Sequence, residues 1–136
     1  MSYTAVREFT PYDGKDAVLE ARLKRAVGAM GKHGANSMLF KVIIGDRSGD
    51  YEIYNWYETV GAGARAMKGF MSDPEMIAVN AERAADPVAE MRGPWVGRVI
   101  HNNTKGDGVG GGGAGPGGAG GGGGAALQKP LQLIVE

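Results

Sequence analysis

The sequence predicts an α+β fold of ferredoxin-like type: a four-stranded antiparallel sheet with its helices on one face. Three observations predict it. The elements read β-α-β-β-α-β within residues 3–100. Two segments rich in β-branched and aromatic residues flank GDRSGD, which is turn chemistry, so they form a hairpin. Residues 38–44 are apolar at both odd and even positions, which gives the sheet a second face to cover.

The first strand is YTAVREF, residues 3–9, closed by Pro11 and Gly14. A helix follows, with Asp13 as the expected N-cap. Leu19, Leu23, Ala26, Val27 and Met30 recur at helical spacing and form its buried stripe. Glu20 and Lys24 are an i,i+4 pair, and Gly31 and Gly34 end the helix. SMLFKVII (37–44) and YEIYNWYE (51–58) are the hairpin strands. A glycine-rich helix starts at Thr59 and breaks near Ser72. SDPE restarts it, either with Asp73 as cap and Pro74 at the first helical position, or with Ser72 and Glu75 as a capping box. Ile77, Ala81, Ala84, Val88 and Met91 are its expected stripe, to about residue 91, with Asp86-Pro87 as a kink. GPWVGRVI, 93–100, is the last strand.

Of 25 glycines, 14 fall in residues 106–124 and 11 in residues 1–101. That contrast divides the chain into a domain over 1–101, a glycine-rich linker over 102–126, and an apolar segment over 127–136. The last segment carries Leu127, Leu131, Leu133, Ile134 and Val135. It reads as a docking peptide for a partner or for neighbouring copies, as a strand returning to the domain, or as a passive extension.

Lysine and arginine number 15, aspartate and glutamate 15. A net charge of zero argues against nucleic acid and against an anionic membrane surface. There are no cysteines, hence no disulfide and no thiolate ligand. The two histidines, His33 and His101, lie far apart in sequence, and no metal-ligand spacing occurs. No apolar run reaches the length of a membrane span, and MSYTAVREFTPYDGKD lacks the apolar core of a signal peptide, so a cytoplasmic location is expected. Ser-His-Asp sets and phosphate loops are absent. GVGGGGAG matches G-x-G-x-x-G only as low-complexity sequence.

Residues 51–100 combine an aromatic-rich strand, a small-residue helix, the SDPE break and a second helix before the last strand. In this the sequence resembles the dimeric α+β barrel superfamily, especially small proteins of the antibiotic-biosynthesis-monooxygenase and NIPSNAP type. The resemblance covers residues 3–100. It implies a homodimer whose sheets pack face to face and a small-molecule cavity between sheet and helices. The superfamily includes cofactor-free oxygenases, haem degraders, haem lyases and isomerases. Haem-degrading members hold iron with a histidine on the second helix. This sequence has none between residues 34 and 100, so no cofactor is expected.

Hairpin closure decides which side chains face that cavity. Closed symmetrically about residues 47–48, position 44 pairs with 51, 42 with 53 and 40 with 55. A loop of even length keeps this parity and an odd one reverses it. Met38, Phe40, Val42, Ile44, Tyr51, Ile53, Asn55 and Tyr57 then face the helices. Leu39, Lys41, Ile43, Glu52, Tyr54, Trp56 and Glu58 face away, with Lys41, Glu52 and Tyr54 as a polar cluster. Asn55 is an amide in an apolar face, and Asn80 interrupts the helical stripe. The two amides either bond each other or the backbone, or orient a ligand. Tyr57 and Trp95 serve as pocket walls or as core. His101 is placed at the pocket mouth as a base, and His33 in a solvated turn. Two functions follow. One is a small-molecule-binding barrel with cofactor-independent monooxygenase-like or isomerase-like activity on an apolar or aromatic ligand. The other is an assembly protein whose tail docks onto a partner.

Overall fold

The computed structural model describes residues 2–103. Its compact unit is Tyr3–Arg98; the second unit is described at residues 2 and 99–103, where the Val99 amide donates to the Ser2 carbonyl at 2.8 Å. Most of the expected linker and all of the 127–136 segment, with Leu127, Leu131, Leu133, Ile134 and Val135, lie outside the described residues.

The elements are β1 (Tyr3–Pro11), α1 (Asp16–Lys32), β2 (Asn36–Lys41), β3 (Tyr51–Tyr57), α2 (Val60–Met71), α3 (Pro74–Ala85) and β4 (Ala89–Arg98). The strands form one antiparallel sheet in the order β2-β3-β1-β4, the expected ferredoxin-like arrangement. The core sits between the sheet and the helices. Phe9, Tyr51 and Ile53 of the sheet meet Leu19, Leu23, Ala26 and Met30 of α1, Phe70 of α2, and Met76 and Val79 of α3.

The stripe on α1 is the one its spacing predicts, but its cap is not. Gly14, at φ +74, turns the chain after Asp13, so the helix begins only at Asp16 and Lys15 holds the N-cap position without a side-chain hydrogen bond. On α2, Thr59 caps by accepting from the Ala62 amide at 3.0 Å. On α3, Asp73 caps by accepting from the Glu75 amide at 2.8 Å, with Pro74 in the first turn.

Four expectations need correction. First, β2 pairs with β3 as Lys41↔Tyr51, Leu39↔Ile53 and Ser37↔Asn55. Residues 42–50 are an odd number of connecting residues, so the parity reverses. Leu39 and Lys41 face the helices with Tyr51, Ile53 and Asn55, while Met38 and Phe40 face away with Tyr54 and Glu52. Second, Ile43 and Ile44 do not belong to a strand and are 75% and 85% exposed at the hairpin tip. Third, α3 ends at Ala85 and does not run to residue 91, because Asp86 precedes a proline and leaves the helical region at φ −145, ψ 81. The helix therefore buries Met76 and Val79 while Ile77 is exposed, and Val88 and Met91 lie beyond it. Fourth, β4 starts at Ala89 and not at Gly93. It is interrupted by a bulge, since Val6 pairs with Trp95 but Glu8 pairs with Arg92. Gly93 sits there at φ +92, and a Cβ on it would meet the Val6 carbonyl oxygen at 2.8 Å.

Candidate functional site

Strand alternation carries the site. On β1, Ala5, Arg7 and Phe9 point toward the helices, because they pair with Asn55, Ile53 and Tyr51 of the same face. Above them the helices leave a cavity of about 240 Å³. Its floor includes Arg7, Phe9 and Ile53; its roof includes Leu23 and Met30 of α1, Met67 and Phe70 of α2, and Met76 and Val79 of α3. Five methionines, at 30, 67, 71, 76 and 91, contribute to the wall. Unbranched thioethers repack readily, so this wall can adapt to the shape of an occupant.

The polar groups of the lining are Arg7, Arg22, Asn80 and Arg83. Three arginines therefore border a mostly apolar space, and they are held differently. Arg22 donates to the Asp86 carbonyl at 2.8 Å and its carboxylate at 3.1 Å, with Glu82 at 3.6 Å. Arg83 is on the exposed rim and donates to the Met91 sulfur at 3.0 Å. Arg7 is 8% exposed. Its Nη1 donates to Asn55 Oδ1 at 2.8 Å, its Nη2 lies 3.9 Å from the Met67 sulfur, and its guanidinium sits 5.7 Å from the centre of the Phe70 ring. No carboxylate among the described residues forms an ion pair with it. Burial lowers its pKa below the ordinary arginine value, with a smaller opposing contribution from Tyr57.

The sequence-predicted residues separate accordingly. Asn80 lines the cavity. Asn55 lies on the helix-facing side of β3 but is wholly buried and is not part of the lining. Its amide nitrogen donates to Ser37 Oγ at 2.6 Å, its oxygen accepts from Arg7, and the Met30 sulfur is 3.3 Å away. It bonds neither Asn80 nor the backbone; it holds the arginine from behind. Tyr57 is half-buried beside α2, where a Cβ on Gly63 would stand 2.9 Å from its ring. Burial raises its phenol pKa, and the Arg7 charge works the other way. Trp95 is 52% exposed on the opposite face of the sheet, because the bulge at Gly93-Pro94 reverses the alternation of β4. His101 is exposed and lies outside the compact unit.

Two other placements differ from expectation. His33 is not a solvated turn residue. Its Nε2 is 2.9 Å from Asp73 Oδ2, which ties the end of α1 to the cap of α3, and Gly69 leaves room for its ring. Lys41 lies over the Tyr51 ring at 5.2 Å on the helix-facing side, away from Glu52 and Tyr54.

Arg7 is the site residue that hydrophobic patterning passes over. Its signal is present in YTAVREF: if Ala5 and Phe9 face inward, residue 7 must do so too. Among the described residues no group of three His, Cys, Asp or Glu side chains could hold a metal ion, and no helix is long and apolar enough to cross a membrane.

No protein-family model matches the chain, and no curated protein matches it either. Solved structures do. SnoaB, a cofactor-independent oxygenase from Streptomyces nogalater, is 17% identical, with a TM-score of 0.51 over 76% of this chain and 95% of its own. A NIPSNAP-like domain protein from Burkholderia xenovorans is 13% identical, with a TM-score of 0.56 over 76% of this chain and 88% of its own. Rv0793 from Mycobacterium tuberculosis is 11% identical, with a TM-score of 0.54 over 76% of this chain and 100% of its own. The fold found, a four-stranded antiparallel sheet with helices on one face, is the one these structures share with this chain.

Proposed function

We propose that this protein binds a small, predominantly apolar or aromatic molecule between its sheet and helices and transforms it without a cofactor, in the manner of an oxygenase. One observation carries the reading: a partly open cavity of about 240 Å³ lies between sheet and helices, walled by Phe, Met, Leu and Val side chains. Packed interiors rarely retain such space, and an apolar cavity of about 150 Å³ already accommodates benzene. A two-ring compound is therefore the appropriate size class. SnoaB, with the same fold, is a cofactor-independent oxygenase, which supports the reaction class. In such chemistry an electron-rich substrate reacts with dioxygen itself, and the protein favours the substrate's anion and excludes water. A cation in a mostly apolar wall suits the first task.

The neutral fluorescent two-ring probe 1-naphthylamine should bind saturably, one per chain, and Val79→Trp should weaken it at least tenfold by filling the cavity. Unsaturable binding, or indifference to the substitution, would overturn the binding reading. Oxygen uptake with a naphthalenediol in EDTA buffer tests the reaction class; a rate equal to that without protein would remove it.

The protein acts as a homodimer in this reading. The sheet face opposite the helices presents Phe40, Trp56 and Trp95, the residues a second sheet would cover. Light scattering should return twice 14.1 kDa at micromolar concentration. A stable single chain would rule the dimer out.

A further inference from the structure

Resting on the cavity reading, we infer that Arg7 is an anion-recognition residue, and that the ligand is an apolar aromatic acid whose carboxylate pairs with this guanidinium while its ring lies against Phe70 and Met76. Four observations converge. Arg7 is more than nine-tenths buried and lines the cavity. Its partners are neutral: the Asn55 amide oxygen, a methionine sulfur at 3.9 Å and a ring face. The other buried arginine, Arg22, also borders the cavity but is compensated by Asp86 and Glu82, so Arg7 is the buried arginine left without a carboxylate among the described residues. Finally, Asn55 is bonded on both sides, to Ser37 and to Arg7, which fixes the guanidinium in one orientation.

The physical argument concerns charge. A buried guanidinium has lost water and gained no counter-charge, so an incoming anion meets a donor already desolvated. Nη1 is engaged by Asn55, while Nη2 has only a soft, distant acceptor. Hydrogens of the planar fork remain for a carboxylate, whose two oxygens match that geometry. A small inorganic anion would satisfy the charge but leave the apolar volume unfilled. A neutral aromatic would fill the volume but leave the charge uncompensated. An aromatic acid does both.

The test compares 2-naphthoate with 2-naphthalenemethanol, which has nearly the same shape but no charge, by calorimetry on the full chain. The unaltered protein should prefer the acid at least tenfold, a comparison that requires no variant to fold. In Arg7→Met, which keeps side-chain length, the preference should collapse to within about twofold. Arg7→Lys, with the charge but without the fork, should fall between. If the neutral naphthylamine probe binds but the acid is not preferred, Arg7 is structural and the inference is overturned while the cavity reading stands. If acetate binds as tightly as naphthoate, the apolar wall takes no part and the ligand class is wrong. If neither naphthyl compound nor the neutral probe binds, both readings fall together.

Discussion

The two faces of the sheet carry charge in opposite ways. On the face turned from the helices, Glu8, Asp50 and Glu52 are shared by two arginines. Arg47 reaches Glu52 at 2.6 Å, Asp50 at 3.3 Å and Glu8 at 3.4 Å; Arg92 reaches Glu8 at 3.2 Å and Asp50 at 3.3 Å. Tyr54 donates to Glu52 at 2.7 Å, and burial together with that bond raises its pKa strongly. On the helix-facing side, Arg7 has no carboxylate among the described residues. The strands are the same and the residues alternate along them. One face pairs its charges with one another, and the other holds a cation with no carboxylate partner among the described residues. On the proposed reading, the difference marks where the charge of a bound anion would sit.

The largest test of this contrast removes the wall rather than the charge. Phe70, on the core side of α2, is fully buried. Phe70→Ala should cost about 3–5 kcal/mol in denaturant unfolding, through lost transfer energy and an enlarged cavity. Breaking the ion-paired face should cost less. Glu52→Gln should destabilise by about 1–3 kcal/mol, since a buried carboxylate is lost but Arg47 is nearly half exposed and keeps Glu8 and Asp50. Smaller still is the effect at the uncompensated cation. Arg7→Met should change stability by no more than about 1 kcal/mol, because relief of an unpaired buried charge offsets an orphaned Asn55 oxygen. A loss at Arg7 as large as that at Phe70 would mean that the arginine holds the fold, and the contrast between the faces would fail.

The last test lies in the helix layer. Asp73 is held at a pKa of about 2, first by its hydrogen bond with His33 and further by the Glu75 amide and Lys32. Its folded value lies below the ordinary carboxylate value of 3.8, so its contribution is fully present above that value. It is lost as pH falls from about 4 through about 2. Wild type should lose stability over that interval more steeply than Asp73→Asn, measured by denaturation midpoints. Identical slopes would remove the clamp between α1 and α3.

Local signals were legible in the sequence, and what they could not carry was phase. The stripe on α1 and the Asp73-Pro74 cap depend on neighbours within four residues, and both are where spacing puts them. The faces of β2 depend on whether the connecting segment has an odd or even length, a fact set by the Val42–Asp50 and Gly49–Val42 hydrogen bonds within it and by no single residue type. Trp95 depends on a bulge. Asn55 faces the helices with Tyr51 and Ile53, as the apolar side of β3 predicts, yet its role depends on Arg7 standing before it. Apolar patterning overlooks an inward arginine because it scores such a residue as surface.

The reversal of β4 at Gly93 has an optical consequence. The chain has two tryptophans, and the bulge places Trp95 on the same side of the sheet as Trp56, which stacks on Tyr54 at 6.0 Å. Both indoles therefore view the face opposite the cavity. Intrinsic emission should shift and its anisotropy change when a second sheet covers that face, and should stay nearly constant when a non-absorbing guest enters between sheet and helices. The molecule thus comes with a dye on one side only, and a single cuvette can distinguish association from ligand uptake without any added label.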